Sequence, residues 1–153
     1  MRALVQRVSK GSVDIEELSY HAHIGKGMVI LFGIKEGDTD EDLIYIADKC
    51  SNLRIFEDSN DKMNISLKEI DGEVLIISQF TLYGDTKRGN RPDFTAAANP
   101  VYAEDLYNKF IQKMKINLGE EKVKHGLFGA MMMVEIHNDG PVTILIESKG
   151  KGG

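Results

Sequence analysis

Residues 28–34 read MVILFGI, seven positions without one polar side chain, bounded by Gly27 before and Gly37-Asp38 after. A strand with one wet face alternates apolar with polar residues, so a run without alternation needs cover on both faces. That need dictates what the remaining chain must supply: strands to pair its edges and apolar layers above and below it. With 153 residues, one domain is long enough to do so, and its core needs neither metal nor disulfide to hold it.

Two segments supply helices. Thr39 stands as an N-cap before Asp40, Glu41 and Asp42, whose charges complement the positive end of a helix, and Leu43, Ile46, Ala47 and Cys50 follow at helical spacing. Asn99 and Pro100 open a second helix as N-cap and first-turn proline; Ala103, Leu106, Tyr107, Phe110, Ile111 and Met114 form its stripe, and Gly119 ends it. The rest reads as strands. Leu4, Val5 and Val8, then Val13 and Ile15, predict an opening pair; residues 53–56 predict a short strand, and Ile65, Leu67 and Ile70 another. Asp71-Gly72 reads as a hairpin turn, leading into a central strand over residues 74–82 whose far end is polar. Residues 131–137 and 142–147 read as two strands joined by Asn138-Asp-Gly-Pro141. Short strands linked by hairpins and crossovers, with two helices, predict a mixed α+β domain whose helices cover one side of the sheet structure. The domain is expected over residues 1–148, with the glycine-rich residues 149–153 as a frayed tail.

Nineteen Lys and Arg against 24 Asp and Glu leave a formal charge of -5, which excludes a general basic coat for nucleic acid and confines such contacts to local patches. Cys50 is the single cysteine, so no internal disulfide is possible, and it reads as a small core residue. The N-terminus lacks the charged and apolar pattern of a secretory leader, which points to the cytoplasm. No apolar run approaches the ~20 residues of a membrane span. Walker, GxGxxG, GxSxG, HExxH and CxxC motifs are all missing. His21 and His23 share a strand face without a third ligand, and His125 and His137 stand alone, so neither metal nor cofactor is expected.

Two segments depart from this plain background. In Ser78-Gln79-Phe80-Thr81-Leu82, three hydrogen-bonding side chains fall at the end of a buried strand. Either the strand simply leaves the core there, or backbone N–H groups at its end, with Gln79 and Thr81, form an oxyanion site for ester or amide cleavage. In Asn138-Asp139-Gly140-Pro141-Val142-Thr143, Asp-Gly is an ordinary hairpin signal, but the proline removes a donor where a returning strand would start to pair.

On these segments the chain resembles the D-aminoacyl-tRNA deacylase family, formerly described as D-tyrosyl-tRNA deacylases. The likeness extends to residues 1–8 (MRALVQRV), 52–57 (NLRIFE), Arg91-Pro-Asp-Phe94 with the alanines after it, and Phe128-Gly-Ala130. The resemblance implies a homodimer that hydrolyses the ester joining a D-amino acid, or glycine mischarged on tRNA(Ala), to the terminal adenosine of tRNA. It implies two stacked sheets forming a barrel-like core with the two helices on one side. Gly140 and a cis Pro141 of one protomer would guard the site formed around Ser78, Gln79, Phe80 and Thr81 of the other, crowding out L side chains. The ester is already activated, so the N–H groups of Phe80 and Thr81 would hold its carbonyl while the ribose 2′-hydroxyl assists water; Thr81 has no visible base and reads as a positioning group.

By the same resemblance Phe128 and Met132 would line the adenine and aminoacyl positions, although Met132 between Met131 and Met133 reads equally as plain core. Arg7 would hold the Gly-Pro turn through its carbonyls, or is a solvated strand residue. Lys87, Arg88 and Arg91 would meet tRNA phosphates, or are a solvated loop. Neither DNA nor membrane is implied as a partner. The chain departs from the family pattern at Glu16-Glu-Leu-Ser-Tyr-His-Ala-His23, where a glycine-bearing hairpin is usual, and at His125, where a small hydroxyl residue is common. A non-catalytic tRNA-binding dimer module and a general small-ester hydrolase stand as the alternatives.

Overall fold

The computed structural model describes residues 1–148; the expected tail of residues 149–153 lies outside the described residues. Its elements in chain order are β1 (Arg2–Ile15), β2 (Tyr20–Ile24), β3 (Gly27–Gly33), α1 (Asp40–Asn52), β4 (Phe56–Glu57), β5 (Met63–Ile65), β6 (Glu73–Ser78), α2 (Pro100–Leu118), β7 (Val123–His125) and β8 (Met133–Glu147).

The apolar run forms β3, and it is covered as its composition demands. β3 pairs antiparallel with the first half of β1 and parallel with β6, while β7 extends the sheet beyond β6. Met28, Ile30 and Phe32, with Val74 and Ile76 of β6, face a core shared with both helices; Val29, with Leu75 and Ile77, faces a second core with Val8, Val13, Ile15 and Ile24. The second half of β1 pairs with β2, and β8 runs along the other edge of β1. The sheet curls until β2 meets β7, where the Tyr20 hydroxyl donates to the carbonyl of His125 at 2.6 Å. The two expected layers are thus parts of one nearly closed, barrel-like six-stranded sheet, with β4 and β5 as a separate ribbon.

Both helices form where the caps place them. The Asp42 carboxylate accepts from the Thr39 N–H and hydroxyl, and the Asn99 side chain accepts from the N–H of Val101. Cys50 is fully buried on α1, and burial pushes its thiol up to about 12, so it is an inert core residue. Met1 closes the bottom of this core, its ammonium 2.8 Å from the buried Asp38 carboxylate.

The strand reading needs correction at several points. The opening pair is one strand, β1, whose first half pairs with β3 and second half with β2, with register shifts against β8 around Arg7–Lys10. Of residues 53–56 only Phe56 is in a strand, and Leu67 and Ile70 belong to turns after β5. Asp71 does take a positive φ of 54°, but the turn leads into the parallel strand β6 rather than a hairpin. The segments around Asn138-Pro141 are one strand, β8: Thr143 pairs with Gln6 and Asn138 with Val8, so residues 139–142 bulge out opposite Arg7 alone.

Candidate active site

β6 was expected to continue to residue 82, but it ends at Ser78. Its neighbour β3 stops at Gly33, so after the Gln79 N–H reaches the Phe32 carbonyl at 2.8 Å no ladder remains to extend. The chain tightens instead into a 3₁₀ turn over Phe80–Tyr83, closed by bonds from the Leu82 N–H to Gln79 and from the Gly84 N–H to Thr81. The first N–H groups of such a turn have no carbonyl one turn earlier to bond. Among the described residues neither the Phe80 nor the Thr81 N–H has an acceptor within the chain. The Gln79 side-chain amide donates to the Thr81 hydroxyl oxygen, and among the described residues no His, Asp or Glu side chain hydrogen-bonds that hydroxyl. A covalent nucleophile at Thr81 would need such a base.

The turn borders a cavity of about 500 Å³ lined by Ser78, Gln79 and Phe80 on one side and by Phe128 and Gly129 on another. Phe32 of β3 and Ile34 just beyond it form its floor; Phe94, Thr95, Ala97, Ala98 and the start of α2 complete the wall. Ser78, Gln79, Phe80 and Phe128 are thus brought together. Phe128 leans on Tyr107, whose buried hydroxyl lies 2.7 Å from the Gly126 carbonyl; burial pushes that phenol up, so it remains a donor. Met132 packs among the second core, against Gly126, and is not among the cavity-lining residues. Lys87, Arg88 and Arg91 are exposed on a loop whose neck is closed by reciprocal backbone bonds between Asp85 and Asp93, at 2.8 and 2.9 Å.

Arg7 and the Asp139–Val142 bulge lie elsewhere, around a smaller hollow shared with Lys26, Phe56 and Glu57. Arg7 is almost buried, at 8% exposure, and is not the solvated strand residue that was its alternative. Its Nε donates to the Asp139 carbonyl at 3.0 Å and its Nη1 to the Ile55 carbonyl at 2.8 Å; Glu57 and the Asp139 carboxylate lie within 3.8 Å. The Gly140-Pro141 peptide is cis, with Gly140 at φ 130°.

Sequence reasoning missed Phe94, Thr95, Ala97 and Ala98 as cavity wall. The segment Arg91-Pro-Asp-Phe94 with its following alanines stood out only as part of the family likeness and was given no role, since loop residues reach a site without any periodicity to show it. His21 and His23 do share the exposed face of β2, where His21 contacts Asp14 at 2.6 Å. Among the described residues no group of three or more His, Cys, Asp or Glu is placed to hold a metal ion, and no helix is long and apolar enough to cross a membrane.

Known proteins resemble this chain in sequence and fold. The family model for D-Tyr-tRNA(Tyr) deacylase matches residues 4–147. A protein of Halothermothrix orenii named D-aminoacyl-tRNA deacylase is 52% identical over 148 residues, 97% of each chain. Among solved structures, one described as a c-Myc DNA Unwinding Element Binding Protein is 41% identical, with a TM-score of 0.90 over 97% of this chain and 99% of that one. A second, described as a probable eukaryotic D-amino acid tRNA deacylase, shares the fold at a TM-score of 0.82 and 20% identity, over 95% of this chain and 98% of the other. A family match over nearly the whole length, joined to half-identical relatives of the same extent, means that the chain belongs to the D-Tyr-tRNA(Tyr) deacylase family.

Proposed function

We propose that this protein hydrolyses the ester bond of D-aminoacyl-tRNA, releasing the free D-amino acid and tRNA, and that glycine mischarged on tRNA(Ala) is a further substrate. The observation that carries this reading is a pair of N–H groups, Phe80 and Thr81, that have no acceptor among the described residues, in a turn whose Phe80 lines an apolar cavity where no nucleophile–base pair is seen among the described residues. Two preorganised amides suit a tetrahedral oxyanion, and an activated ester needs little more than that and a positioned water. The ribose 2′-hydroxyl next to the ester assists the water, which ties the reaction to RNA. Phe128 stacks on the terminal adenine. The enzyme works in the cytoplasm as a homodimer in which Gly140 and Pro141 of one protomer enter the cavity of the other, their carbonyls facing the position of an L side chain.

The formal charge of -5 does not favour DNA as the partner, because duplex binding draws on a broad cationic face. A local contact through Lys87, Arg88 and Arg91 suits the end of a tRNA. Three phosphate contacts give a salt slope near -2, so raising salt from about 50 to about 200 mM should weaken tRNA binding roughly twentyfold. The triple alanine variant should lose most of that dependence in a filter-binding titration; an unchanged slope would remove the loop from the interface.

The assay that tests the reaction sets D-tyrosyl-tRNA, L-tyrosyl-tRNA and a simple D-tyrosine ester side by side. Discharge of the D form at least about a hundredfold faster than the L form, with the simple ester spared, is the expected result, equivalent to roughly 2.7 kcal/mol of discrimination. Hydrolysis of the simple ester would favour a general esterase, and hydrolysis of none a binding module. Thr81→Ala should lower kcat by less than about tenfold, because the amides stay in place. Its complete inactivity, with an acyl group trapped on Thr81 in the parent, would replace this mechanism by covalent catalysis.

A further inference from the structure

The two free amides sit at the start of the Phe80–Tyr83 turn, and the two halves of that turn are held differently. Its second half is well anchored: Arg2 donates to the Leu82 carbonyl at 2.8 Å, its guanidinium lies 4.6 Å from the centre of the Tyr83 ring, and Tyr83 is buried. Its first half has no such support. Phe80 is 58% exposed, although its N–H and that of Thr81 must hold their direction for an oxyanion.

Besides the Gln79 amide on the Thr81 hydroxyl, the Phe94 side chain meets this first half. The Phe94 ring stands edge-on to Phe80, with centroids 5.1 Å apart and planes at 73°, the arrangement in which a ring edge meets the negative face of another. The same ring presses on the far end of the turn: a Cβ added at Gly84 would lie 2.9 Å from it. Phe94 therefore touches the turn at both ends. Phe94 is itself fixed. It follows the Asp85–Asp93 neck directly, and the Asp93 carboxylate accepts from the Thr95 N–H at 2.7 Å. The Ala97 N–H bonds back to the Phe94 carbonyl at 3.1 Å, and the Ala98 N–H joins the segment to Ile34 of the cavity floor.

We infer that Phe94 is a positioning residue for deacylation: its ring braces the Phe80 end of the turn, keeps the Phe80 and Thr81 amides aimed into the cavity, and ties that aim to the neck of the basic loop. The inference rests on the deacylase reading for its kinetic consequence but not for its mechanical one. A donor displaced by a fraction of an ångström weakens transition-state binding more than ground-state binding, so the loss belongs in kcat.

The test uses Phe94→Ala and Phe94→Tyr in the full-length protein, with two readouts. In single-turnover and steady-state assays on D-tyrosyl-tRNA, Phe94→Ala should lower kcat about tenfold to a hundredfold with KM within about twofold, and Phe94→Tyr, which keeps the ring, should recover most of it. In ¹⁵N relaxation, the order parameters of the Phe80 and Thr81 amides should fall in Phe94→Ala from about 0.85 toward about 0.6, while that of Leu82, held by Arg2, stays. Unchanged order parameters with a raised KM would make Phe94 a mere cavity wall and overturn the proposal. So would parental kcat in Phe94→Ala. A parent protein that discharges no D-aminoacyl-tRNA, with the amides loosened in Phe94→Ala, would sink the deacylase reading and leave the brace standing.

Discussion

Gly27→Ala should leave little folded protein. Gly27 is buried between two neighbours, opposite Val8 of β1 and Glu73 of β6, and a Cβ at this position would fall 1.7 Å from the Glu73 carbonyl oxygen and 2.7 Å from its carbonyl carbon. Those are main-chain atoms, so no rotamer change relieves the overlap. Nor can the backbone drift apart, because the Glu73 N–H donates to the Lys26 carbonyl at 3.1 Å and the Glu73 carboxylate accepts from the Gly25 N–H at 3.0 Å, clipping the two segments together just before Gly27, while the parallel ladder holds them after it. Accommodating the methyl means opening the parallel ladder between β3 and β6, on which both cores rest. Overpacking of side chains costs about 1–3 kcal/mol, and a ladder forced open costs enough to consume most of an ordinary ~5–15 kcal/mol stability. Gly11→Ala is the matched control: its Cβ would lie 3.0 Å from a Val29 methyl, a side chain that can shift, and 3.3 Å from the Glu135 carbonyl, so only the ordinary overpacking cost is expected. Soluble yield and thermal unfolding of the two variants decide the matter; a Gly27→Ala melting point within a few degrees of the parent would show that the β3–β6 approach is not close.

The features legible in the sequence are those whose cause is local. α1 and α2 carry their own caps and a 3.6-residue stripe, and β3 betrays its two-sided burial by having no polar residue to place on either face. The misread features depend on a partner distant in sequence. Phe80, Thr81, Leu82 and Tyr83 favour strands, and nothing near them reveals that β3 ends at Gly33 and leaves them no ladder. Asn138-Asp-Gly-Pro141 carries the chemistry of a turn between strands, but β1 is a single long strand, so β8 keeps pairing along it and the four residues become a bulge. Arg7 shows the same limit from the other side. Its alternation with apolar neighbours fits a solvent-facing strand position, and the bulge together with the Ile55–Glu57 segment over it makes it buried. Ser78 and Gln79 drew notice because polar residues at the end of an apolar strand lack a packing reason, whereas Phe94 lies in a loop, where no period exists to break.

Arg7→Ala should degrade chiral discrimination far more than it degrades folding. The guanidinium joins three segments: it stands on β1, donates to Ile55 before β4, and donates to Asp139 at the root of the bulge, with Gly140 so near that a Cβ there would lie 3.0 Å from Nη2. Its carboxylate neighbours, Glu57 and Asp139, are about half exposed, so removing the cation does not strand a buried charge. The stability cost is then the unpaired Ile55 carbonyl and the lost packing, about 1–3 kcal/mol by urea denaturation. The bulge suffers more. Without the bond to Asp139 its carbonyls lose the orientation that the proposed rejection of L substrates requires, and a charge-assisted bond of about 1.5–3 kcal/mol corresponds to a fall of roughly tenfold to a hundredfold in the ratio of D- to L-tyrosyl-tRNA discharge. Arg7→Lys should not restore the ratio, because a single ammonium cannot present the spread of planar donors that reaches Ile55 and Asp139 together. The fall should come mainly from faster discharge of the L form, since the amides of Phe80 and Thr81 are untouched by either substitution. A parental D-to-L ratio in both variants would mean that the bulge keeps its shape without Arg7, or that rejection of the L form is achieved elsewhere in the cavity.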